Sequence, residues 1–118
     1  MKTSELIGTQ LDWAVAKCEH PTIHVVHFNN LRSQHVLHRD FYYSTDWSQG
    51  GPLIERELAE VVKCQSGHNG PIYWEAGAVL KDGPGRTYVC GPTPLIAAMR
   101  AFVASKLGDT IDIPKELT

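Results

Sequence analysis

The fold of this chain is decided by the stretch Gly91-Pro92-Thr93-Pro94-Leu95-Ile96-Ala97-Ala98-Met99-Arg100-Ala101-Phe102-Val103-Ala104-Ser105-Lys106-Leu107. Thr93 suits the N-cap of a helix, because its hydroxyl can accept a hydrogen bond from an unpaired N–H of the first turn. Pro94 suits the first helical position, where its missing N–H breaks no helical bond. Gly108 is a natural stop. The pattern therefore predicts a helix from Leu95 to Leu107.

Both sides of this helix are apolar. One side carries a stripe at helical spacing, typical of a helix packed against a sheet; its members are Leu95, Ile96, Met99, Phe102, Val103 and Leu107. The other side carries Ala97, Ala101 and Ala104, where a solvent-facing helix normally has Lys, Glu or Gln. Either this alanine face packs on another element or a second copy, or alanine is present as the best helix former on an exposed face.

Length and composition limit the classes of protein. With 118 residues, 42% of them hydrophobic, the chain can bury a core, and we expect one domain over residues 1–118. Its formal net charge of -2 provides no global basic field, which argues against nucleic acid as a partner. No apolar run suits secretion or spans a bilayer, so we expect a cytoplasmic protein without membrane contact. Cys18, Cys64 and Cys90 lack Cys-x-x-Cys spacing, and we expect reduced, mostly buried thiols.

Near the N-terminus, a helix is predicted from Thr3 or Ser4 to about Glu19, with Gly8 able to break it into two pieces. Trp13 projects from the side opposite the apolar stripe of this helix. Either another part of the chain covers it, as we expect for a large aromatic side chain, or it contacts a partner or ligand. The stripe itself consists of Leu11, Ala14, Val15 and Cys18.

The remaining chain is rich in strand signals. Two antiparallel hairpins are predicted, one with strands at 22–28 and 34–43 and one with strands at 72–80 and 86–90. Residues 111–113 alternate like a short edge strand. Leu53 to Val62 fits a helix slightly better than a strand, and both interpretations stay open. The sequence thus predicts an α+β fold, in which an N-terminal and a C-terminal helix pack on an antiparallel sheet of four to five strands.

Four histidines in the first hairpin are candidate metal ligands. They are spaced three apart, as His24 and His27 and as His35 and His38. Residues three apart on a strand point to opposite faces, so neither pair can jointly hold one ion without a bulge. Pairing across the two strands could still bring two histidines together, but we expect no metal site, and no cofactor fingerprint is present.

The stretch from Tyr42 to Glu57 is the candidate binding site. It combines aromatic rings, short polar side chains and a Gly-Gly-Pro turn, features typical of loops that build pockets. The helix start at Gly91–Thr93 could add an anion site, although Pro92 and Pro94 remove two N–H donors. The predicted ligand-binding residues are Tyr43, Ser44, Thr45, Asp46, Trp47, Gln49, Glu55, Arg56, Trp74, Thr93 and Arg100.

Simpler roles compete with binding for several of these residues. Asp46 can be a helix cap and Trp47 a hydrophobic plug of a structural loop. Glu55 and Arg56 can belong to a solvated charged face, because no His, Ser or Lys motif beside them completes a catalytic set.

Three segments carry a resemblance to a known family: Leu11-Asp12-Trp13-Ala14-Val15-Ala16, Ser44-Thr45-Asp46-Trp47 through Gly50-Gly51-Pro52-Leu53-Ile54-Glu55-Arg56-Glu57, and Gly91-Pro92-Thr93-Pro94-Leu95-Ile96-Ala97-Ala98-Met99-Arg100. Together they resemble the phage NinX-like family of tailed phages and prophages. Relatives often have Gly after the residue matching Glu57, whereas Leu58 stands here. The resemblance implies a small accessory protein in the cytoplasm of an infected bacterium, and it supplies no catalytic residues.

Three functions from different classes follow. We expect a non-catalytic protein, forming a homo-oligomer, that binds a nucleotide-like small molecule and sequesters a signal of bacterial defence. The alternative is a protein-interaction or nucleic-acid-metabolism accessory factor, with Trp13 and the alanine face as its contact surface. An enzyme ranks third, because the sequence has no nucleophile–base pair, metal spacing or cofactor motif.

Overall fold

The computed structural model describes residues 1–19, 41–80 and 83–113. A 3₁₀ turn at Thr3–Glu5 precedes helix α1, Gly8–Glu19; helix α2 follows at Trp47–Glu57. Strands β1, β2 and β3 span Leu58–Gln65, Ile72–Val79 and Arg86–Gly91, and helix α3 spans Pro94–Leu107.

Helix α3 lies at the centre of the core, as its caps and apolar sides predicted. The Thr93 hydroxyl accepts a hydrogen bond from Ile96 N–H at 3.1 Å, and Gly108 ends the helix with a φ of 90°. Ala97 and Ala101 are fully buried and Ala104 is 6% exposed, so the alanine face packs inside the chain. The interpretation of these alanines as exposed helix formers is wrong. The helix contacts all three strands, α1 and α2.

The sheet has the order β1-β2-β3 with antiparallel neighbours. Ala76, Ala78 and Val89 supply buried side chains to the core. The sheet and α3 are in close contact at Gly91, where an added Cβ would lie 2.6 Å from the Ala97 nitrogen. Glycine at this position therefore lets the last strand run directly against the first turn of α3.

The predicted sheet of four to five strands is not confirmed, since the described residues form three. The predicted strand at 22–28, most of that at 34–43 and all four histidines lie outside the described residues. Phe41 and Tyr42, at the end of the second segment, are not in a strand. The edge strand predicted at 111–113 is wrong: Lys2 and Thr110 form one isolated bridge instead, and Met1 exchanges backbone hydrogen bonds with Ile111.

The segment from Leu53 to Val62, for which the sequence left helix and strand open, contains both. Helix α2 ends at Glu57, and Leu58 turns to extended backbone while its N–H still donates to the Ile54 carbonyl. From there the chain pairs with β2, so the helix predicted to continue to Val62 is wrong beyond Glu57. Val61 packs against the core and Val62 is exposed, which is the alternation of a strand rather than a helical stripe.

The N-terminal helix matches its prediction. Gly8, at a φ of 62°, separates the 3₁₀ turn from α1. Trp13 is 4% exposed and Lys17 Nζ lies 5.5 Å from the centre of its ring, so the expectation that other parts of the chain cover it is confirmed. Burial of Trp13 and of the alanine face removes the contact surface on which the protein-interaction alternative depended.

Candidate functional site

The segment between residues 42 and 57 is mostly helix, and a tight turn positions its beginning. Thr45 N–H and Asp46 N–H both donate to the Tyr42 carbonyl, at 3.1 and 2.7 Å. Asp46 then caps α2, accepting hydrogen bonds from the Ser48 N–H at 2.9 Å and the Ser48 hydroxyl at 2.6 Å, which lower the pKa of its carboxyl. The prediction of a loop through Glu57 is therefore wrong, and the simpler role for Asp46 is confirmed.

Two close contacts fix α2 against this turn. The Gln49 side-chain oxygen accepts a hydrogen bond from Tyr42 N–H at 2.8 Å. Gly50 is buried beneath the turn, where a Cβ would lie 2.5 Å from the Tyr43 carbonyl oxygen and 2.6 Å from Leu95 Cδ2. Gly50 thus brings the turn, α2 and the start of α3 together.

Asp12 anchors the same turn from beneath. Its Oδ1 accepts a hydrogen bond from the Ser44 N–H at 2.8 Å, and the two residues are 5% and 2% exposed. Burial raises the pKa of the Asp12 carboxyl, and the neighbouring Ser44 N–H and hydroxyl offset part of this effect. The Ser44 hydroxyl lies beside this carboxyl, and its oxygen is fully buried. Sequence reasoning missed Asp12; the signal was a carboxylate between the apolar residues Leu11 and Trp13.

These elements enclose a cleft of about 230 Å³ at the start of α3. It joins the two segments that the sequence analysis selected, the stretch after Tyr42 and the helix start at Thr93. Trp47 forms one wall and is 56% exposed, so its predicted alternative role as a plug is wrong. The lining residues are Ser44, Thr45, Trp47, Thr93, Pro94, Leu95 and Ile96.

The cleft is electrically neutral and offers few hydrogen-bond donors. All seven lining residues are uncharged. Of the first N–H groups of α3, Pro94 has none, Ile96 donates to the Thr93 hydroxyl, and Ala97 donates to the Thr93 carbonyl at 3.0 Å. Among the described residues that line the cleft, this leaves Leu95 N–H and the Thr45 hydroxyl as polar groups. This arrangement suits a flat apolar group with a polar edge.

Several predicted site residues lie elsewhere and hold the fold together. Arg56 forms ion pairs with Glu19 and Glu57, both at 2.6 Å, which raise its pKa. Arg100 Nε donates to the Leu6 carbonyl at 2.7 Å, and a second guanidinium nitrogen donates to the Cys90 carbonyl at 2.9 Å. Arg100 thereby ties α3 to the N-terminal segment and to β3.

The other predicted residues also lie outside the cleft lining. Trp74 is half-buried on β2 and packs against the core, Glu55 is exposed on α2, and Tyr43 stacks on Phe41 with ring centres 5.9 Å apart. The cleft therefore gathers four of the eleven predicted residues, Ser44, Thr45, Trp47 and Thr93. Their roles in binding stay predictions.

The cysteines and the possible metal ligands form no further centre among the described residues. No disulfide joins the three cysteines; Cys90 is exposed, contrary to the expectation of mostly buried thiols. The described ranges contain no group of three or more His, Cys, Asp or Glu side chains able to hold a metal ion.

The sequence matches the family described as Bacteriophage P22, NinX, over residues 2–106. The chain belongs to the NinX family. The match includes every element of the cleft, from Asp12 to the start of α3, and it makes this chain a phage accessory protein. A comparison with curated proteins finds no match. Among the described segments of this NinX-family protein, no helix has the length and apolar character needed to cross a membrane.

Proposed function

We propose that this NinX-family protein binds a nucleotide-like small molecule in the cleft between the Ser44–Thr45 turn and the start of α3. The observation that carries the proposal is Trp47, whose indole forms a wall of a cleft and is 56% exposed. An aromatic face beside hydroxyls and a backbone N–H is a common way to hold a base. The role is binding without catalysis, since the seven lining residues include no acid, base or thiol.

The biological role we propose is sequestration of a nucleotide signal used in bacterial defence. This step depends on the family as well as on the cleft: a phage accessory protein that binds without reacting can act by lowering the concentration of a host signal. Assembly into a homo-oligomer is part of the proposal, because several copies would multiply the number of sites per particle.

Thermal unfolding against mono-, di- and cyclic nucleotides and ADP-ribose derivatives tests the proposal. A ligand at 100 times its dissociation constant adds about 2.7 kcal/mol to the free energy of unfolding, which raises the melting temperature visibly. The mass in solution, recorded alongside, tests the oligomer. No shift with any compound would contradict the binding function.

Two variants locate the site. Trp47→Ala removes an exposed side chain, so the fold should survive while the ligand-induced shift is lost. Tyr88→Ala is the matched control: Tyr88 is 49% exposed and lines a separate cavity of about 320 Å³ beside Lys2 and Asp109. Loss of the shift in the Tyr88 variant alone would move the site to that second cavity.

A further inference from the structure

We infer that the cleft recognises the uncharged, planar base of its ligand and leaves the phosphates in solvent. This inference deepens the proposed function and rests on it. It assigns a chemical class to the recognised group: a nucleobase stacked on Trp47, with its polar edge toward Leu95 N–H and the Thr45 hydroxyl.

The size of the cleft is the first argument. Pockets that enclose a whole drug-sized ligand have volumes of about 300–1,000 Å³. The cleft has about 230 Å³, which is enough for one ring system and too little for a complete nucleotide with its phosphates. The ribose and phosphates of a bound nucleotide would therefore extend past Trp47 into water.

The charge of the lining is the second argument. A buried phosphate needs cationic partners or several N–H donors, because desolvation of an unpaired charge is costly. The cleft has no charged side chain; in the first turn of α3, Pro94 has no N–H, and the N–H groups of Ile96 and Ala97 both donate to Thr93. The two arginines predicted for the site bind other groups. Arg56 forms ion pairs with Glu19 and Glu57. Arg100 donates hydrogen bonds to two backbone carbonyls.

The polar groups that do line the cleft suit the edge of a base. Leu95 N–H is a donor, and the Thr45 hydroxyl can donate one hydrogen bond and also accept, with the direction of its O–H set by rotation. The Thr45 hydroxyl lies on an exposed residue and can reach the edge of a base, and the ring of the base would cover the exposed face of Trp47.

Isothermal titration distinguishes base from phosphate recognition. The probes are adenosine, guanosine, cytidine and uridine, the matching 5′-monophosphates and triphosphates, and ribose 5-phosphate, each at low and high salt. The preferred nucleoside should bind within about threefold of its nucleotides, and ribose 5-phosphate should not bind. Affinity should change less than about threefold with salt, because no ion pair forms.

Variants of Trp47 test the stacking step. Trp47→Ala should weaken nucleoside binding by about 5- to 140-fold, the usual range for loss of one base–aromatic stack, whereas Trp47→Phe should retain most of the affinity. Nucleoside binding should also quench the emission of Trp47, the most exposed of the three tryptophans: Trp13 is buried and Trp74 half-buried.

Failure of the inference and failure of the proposed function give different results. If nucleotides bind but their nucleosides bind more than about 100-fold more weakly, or if ribose 5-phosphate competes, phosphate is the recognised group; the inference is then overturned while the proposed function stands. If neither nucleosides nor nucleotides bind, the proposed function itself fails.

Discussion

Replacement of Asp12 tests how the cleft is built. Asp12→Ala removes the acceptor of the Ser44 N–H, a group on a residue only 2% exposed, and Asp12→Asn keeps an acceptor oxygen in place. A buried N–H without a partner costs about 1–3 kcal/mol. Alanine regains up to about 0.7 kcal/mol of helix propensity at this position in α1, so the net loss should be about 1–2 kcal/mol.

Urea unfolding at pH 7 measures this loss. With a slope of about 2 kcal/mol per M, the unfolding midpoint of Asp12→Ala should fall by roughly 0.5–1 M. Asp12→Asn should unfold at or above the wild-type midpoint, because the amide keeps an acceptor and removes a buried charge. Ligand binding by Asp12→Ala should weaken as well, since the Ser44–Thr45 wall of the cleft loses its anchor on α1. An alanine variant as stable as the asparagine variant would refute the anchoring role of Asp12.

The pH dependence gives a second test with a defined sign. Burial raises the folded pKa of Asp12 above its unfolded value of about 3.9, so the folded state holds this proton more tightly. The contribution of Asp12 to stability is therefore complete below pH 4 and is lost as pH rises through the folded pKa. The stability of Asp12→Asn relative to wild type should rise across that window and then level off. If the stability of Asp12→Asn relative to wild type fell as pH rose across the same range, the result would contradict the burial of this carboxyl.

Two further substitutions test contacts around the cleft. Gly50→Ala places a Cβ 2.5 Å from the Tyr43 carbonyl oxygen and 2.6 Å from Leu95 Cδ2, so calorimetry should show a lower melting temperature, with about 1–3 kcal/mol of overpacking partly offset by helix propensity. A raised melting temperature would mean that the turn does not pack over Gly50. Arg100→Met removes two hydrogen bonds to backbone carbonyls and should lower the free energy of unfolding in urea by about 1–3 kcal/mol, while Arg100→Lys restores one bond at most. Folded Arg100→Met should bind ligand as the wild type does. If the variant were as stable as the wild type but did not bind the ligand, Arg100 would be a binding residue.

Local signals explain which parts of the fold the sequence predicted. The start of α3 depends on Thr93 and Pro94 and its end on Gly108, all within one turn of the positions they determine. Asp46 is a cap of the same kind. The strand-forming residues that begin at Ile72 and the turn at Gly83 likewise determine one hairpin. Each of these elements is specified by neighbours in the chain, which is why residue types alone sufficed.

The predictions that were wrong or absent concern residues whose role depends on partners far away in the sequence. The switch from α2 to β1 at Leu58 is decided by pairing with β2, which overrides a helical stripe that continues to Val62. In the sequence, Asp12 resembles an ordinary surface residue of a helix. Its role depends on the turn at Ser44, which is 32 positions away in the chain and lies over it in the fold. The sequence predicts Arg100 as a ligand-binding residue, yet its partners are the Leu6 and Cys90 carbonyls. The sequence analysis placed the Ser44 turn and the Thr93 helix start in one predicted site, but no local signal in either segment determines how they meet.

The most direct test of the cleft is a nuclear magnetic resonance titration of the ¹⁵N-labelled protein with a mixture of the four common nucleoside 5′-monophosphates. We predict that the indole N–H of Trp47 and the backbone N–H signals of Ser44, Thr45, Leu95 and Ile96 shift together, while those of Ser4 and Tyr88 stay unchanged. Shifts confined to the second cavity, or no shifts at all, would contradict the account.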